Sequence, residues 1–143
     1  GVGPMSKNCI DVVIEIANEY NVPIPLIASR RQIDSMNFDG GYVCKWDTKK
    51  FADYVLDNDK KGNVILSRDH GGPWQNSREV EEKLGLERAM KSAKESFLVD
   101  IKSGFEIIQE AYDHYLINPN PSLEDNYYSF VVSFHFYYGF VDD

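Results

Sequence analysis

The stretch Asn63-Val64-Ile65-Leu66-Ser67-Arg68-Asp69-His70-Gly71-Gly72-Pro73 decides the fold. Its first five residues are a short, mostly apolar run that breaks at once into charged and turn-forming residues, the pattern of a buried strand that ends in a loop. A similar run lies upstream at 24–28, where Pro23 and Pro25 bracket a strand start that needs no ladder partner. A third lies at 105–109. Between them the spacing is helical. Before the first strand, Ser6 can cap a helix that buries Ile10, Val13, Ile14 and Ala17 and ends near Asn21. Asp47 or Thr48 caps a second helix with Phe51, Tyr54 and Val55 on one face, stopped by Lys60, Lys61 and Gly62. Residues 79–103 predict one long amphipathic helix with Leu86, Met90, Ala93, Phe97 and Ile101 inward and Gly104 just past its end. Strands starting near 24, 63 and 105 thus alternate with helices in units of about 40 residues, the signature of right-handed βαβ crossovers and a parallel sheet. The fold class is α/β.

The chain has 143 residues, one domain's worth, and falls short of the roughly 250 residues of a closed eight-stranded α/β barrel. Its 43% hydrophobic and 27% charged residues describe a globular protein, and no run of about 18 apolar residues predicts a membrane span. Fifteen Lys and Arg against 23 Asp and Glu give a net charge of −8, which repels nucleic acid and anionic lipid surfaces. Cys9 and Cys44 are unpaired in motif and suit reduced thiols in the cytoplasm. Residues 1–4, ahead of Met5, lack the basic and apolar regions of a signal peptide and read as a tag remnant, which leaves 5–143 as a single α/β domain. Pro119 and Pro121 break the chain before a helix start at Ser122, and in 127–140 eight of fourteen residues are aromatic. That tail fits strand at least as well as helix and predicts packing against the core or a second chain.

In parallel α/β folds, ligands bind at the carboxyl ends of the strands. There this sequence places Ser29, Arg30, Arg31 and Gln32, then Arg68, Asp69 and His70, then Glu110, Asp113 and His114. Guanidinium forks match the geometry of phosphate and carboxylate, so Arg30, Arg31, Gln32 and Arg68 are the candidate groups for an anionic small substrate. Asp69 beside His70 can divide the labour of proton carrier and metal ligand; the plainer alternative is an aspartate that braces a glycine-rich turn. The plainer alternative for Arg30 and Arg31 is a solvated pair in an acidic protein. Trp74 fits rim packing better than sugar stacking, and His135 fits a packed aromatic segment. The polar connection over 30–46, with Gly40 and Gly41, exceeds the usual length of about 2–6 residues and so carries functional interest. Neither GxGxxG, GxxxxGK[ST] nor GxSxG occurs, which disfavours a dinucleotide cofactor or a serine nucleophile.

Ile27-Ala28-Ser29-Arg30-Arg31-Gln32, Gly40-Gly41-Tyr42 and Ser67-Arg68-Asp69-His70-Gly71-Gly72-Pro73-Trp74-Gln75, in that order, resemble the tagatose-bisphosphate aldolase accessory-subunit family, a branch of the class II aldolase-like barrels. The likeness covers about residues 8–110. It implies a partial (β/α)8 TIM-barrel-like fold of three to four βα units. It also implies catalytic relatives that use a divalent metal, usually zinc, in aldol cleavage or enolisation of a phosphorylated ketose. By that resemblance Asp69 matches the acid/base aspartate and His70 a metal-ligand histidine; nothing here matches the two further histidine ligands. The accessory branch is regarded as non-catalytic and stabilises a partner aldolase subunit. At Gln109-Glu110-Ala111-Tyr112 the chain departs from the family pattern, which puts Glu110 in doubt. A chain of this length leaves a barrel less than half built, with an open sheet edge. It is then a piece of a longer protein, half of an oligomer, or a small domain whose aromatic tail covers that edge.

Overall fold

The computed structural model describes residues 1–108 and the backbone of Phe134 and His135. In chain order the elements are α1 (Lys7–Tyr20), β1 (Ile24–Ala28), a 3-10 turn (Met36–Phe38), α2 (Thr48–Asn58), β2 (Val64–Arg68), α3 (Ser77–Glu81), α4 (Leu86–Lys102), β3 (Ile107–Ile108) and β4 (Phe134–His135). The sheet order is β1-β2-β3-β4, with β1, β2 and β3 parallel and β4 antiparallel to β3. The α/β class therefore holds, with α2 linking β1 to β2 and α3 and α4 linking β2 to β3. Register fixes the edge that matters: Ala28 pairs with Arg68 and Arg68 with Ile108, so the strands finish level and the loops after β1 and β2 emerge together.

The first two helices form where the sequence places them. The Ser6 hydroxyl accepts from the Cys9 amide, and Asn21 closes α1 in the left-handed region at φ 53°. Asp47 caps α2 by accepting from the Lys50 amide at 2.8 Å. Ile10, Val13, Ile14 and Ala17 of α1 and Phe51, Ala52 and Val55 of α2 bury against Leu26, Val64 and Leu66 of the sheet. Residues 1–4, read as a tag remnant, lie beside β1: the Val2 amide donates to Pro25 and the Val2 carbonyl accepts from Ile27, at 2.9 and 2.8 Å.

The long helix expected over 79–103 is two helices. The break is local and chemical: the Trp74 indole donates to the Leu84 carbonyl, Lys83 takes φ 49°, and Gly85 starts α4. The inward face of α4 also differs. Ala89, Ser92, Ala93, Ser96 and Asp100 are buried, whereas Leu86, Met90 and Ile101 are exposed. A stripe of small and polar residues faces inward because it meets two buried guanidinium groups. The helix expected from Ser122 and nearly all of the aromatic tail lie outside the described residues.

Phe51 is fully buried and its ring centroid lies 6.1 Å from that of Phe105. Phe51→Ala is expected to cost about 3–5 kcal/mol, read as a lower midpoint in urea unfolding.

Candidate functional site

Arg68 is the last residue of β2 and is fully buried. Its Nε and Nη2 grip both Asp100 oxygens at 2.8 and 2.6 Å, and its Nη1 donates to the carbonyls of Ile33 and Ala28 at 2.7 and 3.2 Å. Phe105 lies against the guanidinium, 5.2 Å from ring centroid to Cζ. Burial opposes the Arg68 charge; the charge and hydrogen bonds of Asp100 outweigh it, so the guanidinium is held protonated with a raised pKa.

Arg30, two residues past β1, is equally buried. It donates to Asp34 Oδ2 at 3.0 Å, to the Gly72 carbonyl at 3.1 Å and to Ser92 Oγ at 3.1 Å, and it pairs with Glu79 Oε1 at 2.7 Å. Asp34 in turn accepts from Asn76, Ser96 and the Ser35 amide. Glu79 accepts from the Trp74 amide and from the Ser92 hydroxyl. One guanidinium thus ties the loop after β1 to the turn after β2 and to both helices that follow.

On this base stands the turn that carries the candidate chemistry. The Asp69 amide donates to the Ala28 carbonyl at 3.0 Å, which locks the start of the turn to the end of β1. Asp69 Oδ1 accepts from the His70 amide at 2.7 Å, and Oδ2 lies 3.4 Å from His70 Nε2. The two side chains are 35% and 42% exposed, so they form a polar pair open to solvent at the strand edge. His70 and Trp74 hold positive φ, 49° and 60°. Gly71 is needed for space: a Cβ there would sit 2.2 Å from the Phe97 ring.

Of the residues read as ligand groups, Arg30 and Arg68 are spent inside the protein. Arg31 is exposed. Gln32 is buried; its Oε1 accepts from the Ser29 amide and its Nε2 contacts Met5 Sδ at 3.2 Å. Glu110, Asp113 and His114 lie outside the described residues, as does the side chain of His135. The sequence reading missed Asp34, Asn76, Glu79 and Asp100, although Ser92, Ser96 and Asp100 recur at helical spacing and mark one polar face. Asp69 and His70 offer two metal donors, and among the described residues no group of three or more His, Cys, Asp or Glu comes together to hold a metal ion. Among the described residues no helix is long and apolar enough to cross a membrane.

No protein-family model and no curated protein matches the chain. It is similar in structure to a probable tagatose 6 phosphate kinase from Sinorhizobium meliloti 1021, at 20% identity and a TM-score of 0.53 over 69% of this chain. The matched region is 24% of that protein, so the chain spans a fraction of its neighbour's length. At this identity the likeness carries the α/β fold alone.

Breaking a buried ion pair strands a charge away from water. Asp100→Ala is expected to cost about 3–5 kcal/mol in chemical unfolding, and pairing Asp100→Leu with Arg68→Met to recover most of it.

Proposed function

We propose that the chain is part of a class II aldolase-like (β/α)8 barrel that takes a phosphorylated sugar at the carboxyl edge of its parallel strands. The observation that carries this reading is the Asp69 and His70 pair, half-open to solvent at the end of β2 and braced from below by buried charges. Arg31, exposed on the loop after β1, is the proposed substrate contact, with the buried Arg30, Gln32 and Arg68 positioning that loop. The motifs that resemble the aldolase accessory-subunit family support the reaction class, and the name of the structural neighbour is in keeping with a sugar phosphate as ligand.

In aldol cleavage a base takes the hydroxyl proton β to the ketone, the carbon–carbon bond breaks, and its electrons move to the carbonyl oxygen as an enediolate. Asp69 is the proposed base, with the adjacent imidazole orienting it. A metal, when bound, would stabilise that oxyanion. Zinc takes three or four protein ligands, so with His70 as one ligand the remainder must come from outside the described residues or from a second chain. The same fact favours the second reading, a non-catalytic subunit that binds a sugar phosphate or supports a partner aldolase.

Asp69→Asn is expected to abolish cleavage of phosphorylated ketoses while leaving the unfolding midpoint within about 1 kcal/mol of the parent, as an isosteric change at a part-exposed site. Retained cleavage would remove Asp69 from the chemistry. Light scattering is expected to find at least a dimer, since a sheet of this size leaves strand edges to be covered; a monomer would contradict the assembly.

A further inference from the structure

Two helices carry apolar stripes that face outward. On α1, Val12, Ile16 and Tyr20 recur every fourth residue and are 50%, 40% and 66% exposed. On α4, Leu86, Met90 and Ile101 are 55%, 44% and 38% exposed, and the half-buried Phe97 completes the same line at helical spacing. A single exposed leucine needs no explanation, whereas a continuous row along one helix marks a surface that another segment covers.

The two stripes differ in charge and in place. Glu15 and Glu19 border the stripe on α1, and α1 packs on β1, three strands from β4. The outer surface of α4 carries Arg88, Lys91, Lys94 and Lys102 against Glu87 and Glu95, because Asp100 is turned inward to Arg68. Lys91, Lys94 and Lys102 make no ion pair among the described residues. The chain beyond Lys102 is the converse: it has no Lys or Arg as far as Asp143. Between 109 and 133 it has Glu110, Asp113, Glu124 and Asp125 among apolar residues such as Tyr115, Leu116, Tyr127 and Phe130. Connectivity brings that segment to α4. Ile108 of β3 pairs with Phe134 of β4 in antiparallel sense, so 109–133 leaves and rejoins the sheet at the carboxyl end of β3. The early turns of α4 lie at that same edge, where Ser92 Oγ accepts from Arg30 just past β1. A 17-residue helix is about 25 Å long, well within the span of the connecting residues at roughly 3.3 Å each.

We propose that the outer stripe of α4 is the docking surface for residues 109–133 of the same chain, whose aromatic side chains cover Leu86, Met90 and Ile101 while their acids meet Lys91 and Lys94. The inference does not depend on what Asp69 and His70 do. Phe97 shares the stripe and packs against Gly71, where a Cβ would sit 2.2 Å from its ring, so the docked segment also braces the helix behind the strand-edge turn.

Photo-crosslinking of the full chain tests it, with a benzophenone amino acid placed at Met90 or, as the control, at Ile16. Both positions are exposed, so the probe does not enter the core. Trypsin leaves 103–143 as one peptide, because it has no internal Lys or Arg, and capture of that peptide is read by mass. Position 90 is expected to capture it within a single chain, and position 16 is not. Lys91→Glu combined with Lys94→Glu is expected to lower the yield at position 90 about threefold or more at low salt, with the difference shrinking at about 1 M salt. No capture from position 90, or equal capture from position 16, would overturn the proposal. Capture only between two chains would assign the surface to a second copy instead. A yield indifferent to the charge reversal would remove Lys91 and Lys94 from the recognition.

Discussion

Two arginines without access to water set the terms for the rest of the structure. A buried guanidinium is tolerated only where its donors are met and its charge is compensated, and Arg30 and Arg68 sit at the carboxyl ends of adjacent parallel strands, where backbone carbonyls and helix side chains converge. Asp100 meets Arg68 with both oxygens; Asp34 and Glu79 meet Arg30. The buried face of α4 follows from this demand. Serines and an aspartate occupy positions where leucines would leave charges stranded.

The same network explains why the strand-edge turn has one shape. Arg30 holds the Gly72 carbonyl, Glu79 holds the Trp74 amide, and Ala28 holds the Asp69 amide, so three backbone points between 69 and 74 are pinned. Pinning allows His70 and Trp74 to keep positive φ, which bulky residues otherwise avoid. A carboxylate and an imidazole are thereby presented to solvent on a rigid base, the arrangement that positions groups for proton transfer or ligand binding.

Most of the framework was legible in the sequence because apolar spacing and caps report it directly. The first strand has the predicted limits, the second is displaced by one residue, and Ser6 and Asp47 cap their helices. What spacing could not report was polarity turned inward. Leu86, Met90 and Ile101 look like a core face and are exposed, while Ser92, Ser96 and Asp100 look like a solvent face and are buried. For the same reason Arg30 and Arg68 read as ligand groups: placement at a strand end is visible in sequence, whereas acids that neutralise them come from distant elements, Glu79 of α3 for Arg30 and Asp100, 32 residues away, for Arg68. Asp69 and His70 were legible because their turn is signalled locally by Gly71, Gly72 and Pro73.

The central claim is that the Asp69 and His70 pair is where a phosphorylated sugar binds. With three histidines in the chain, the imidazole resonances of His70 can be assigned by substitution and followed by NMR during titration with a ketose phosphate. The account predicts that His70 moves saturably with the sugar phosphate and that the movement is lost in Arg31→Ala. An unchanged His70 signal at saturating ligand would contradict it.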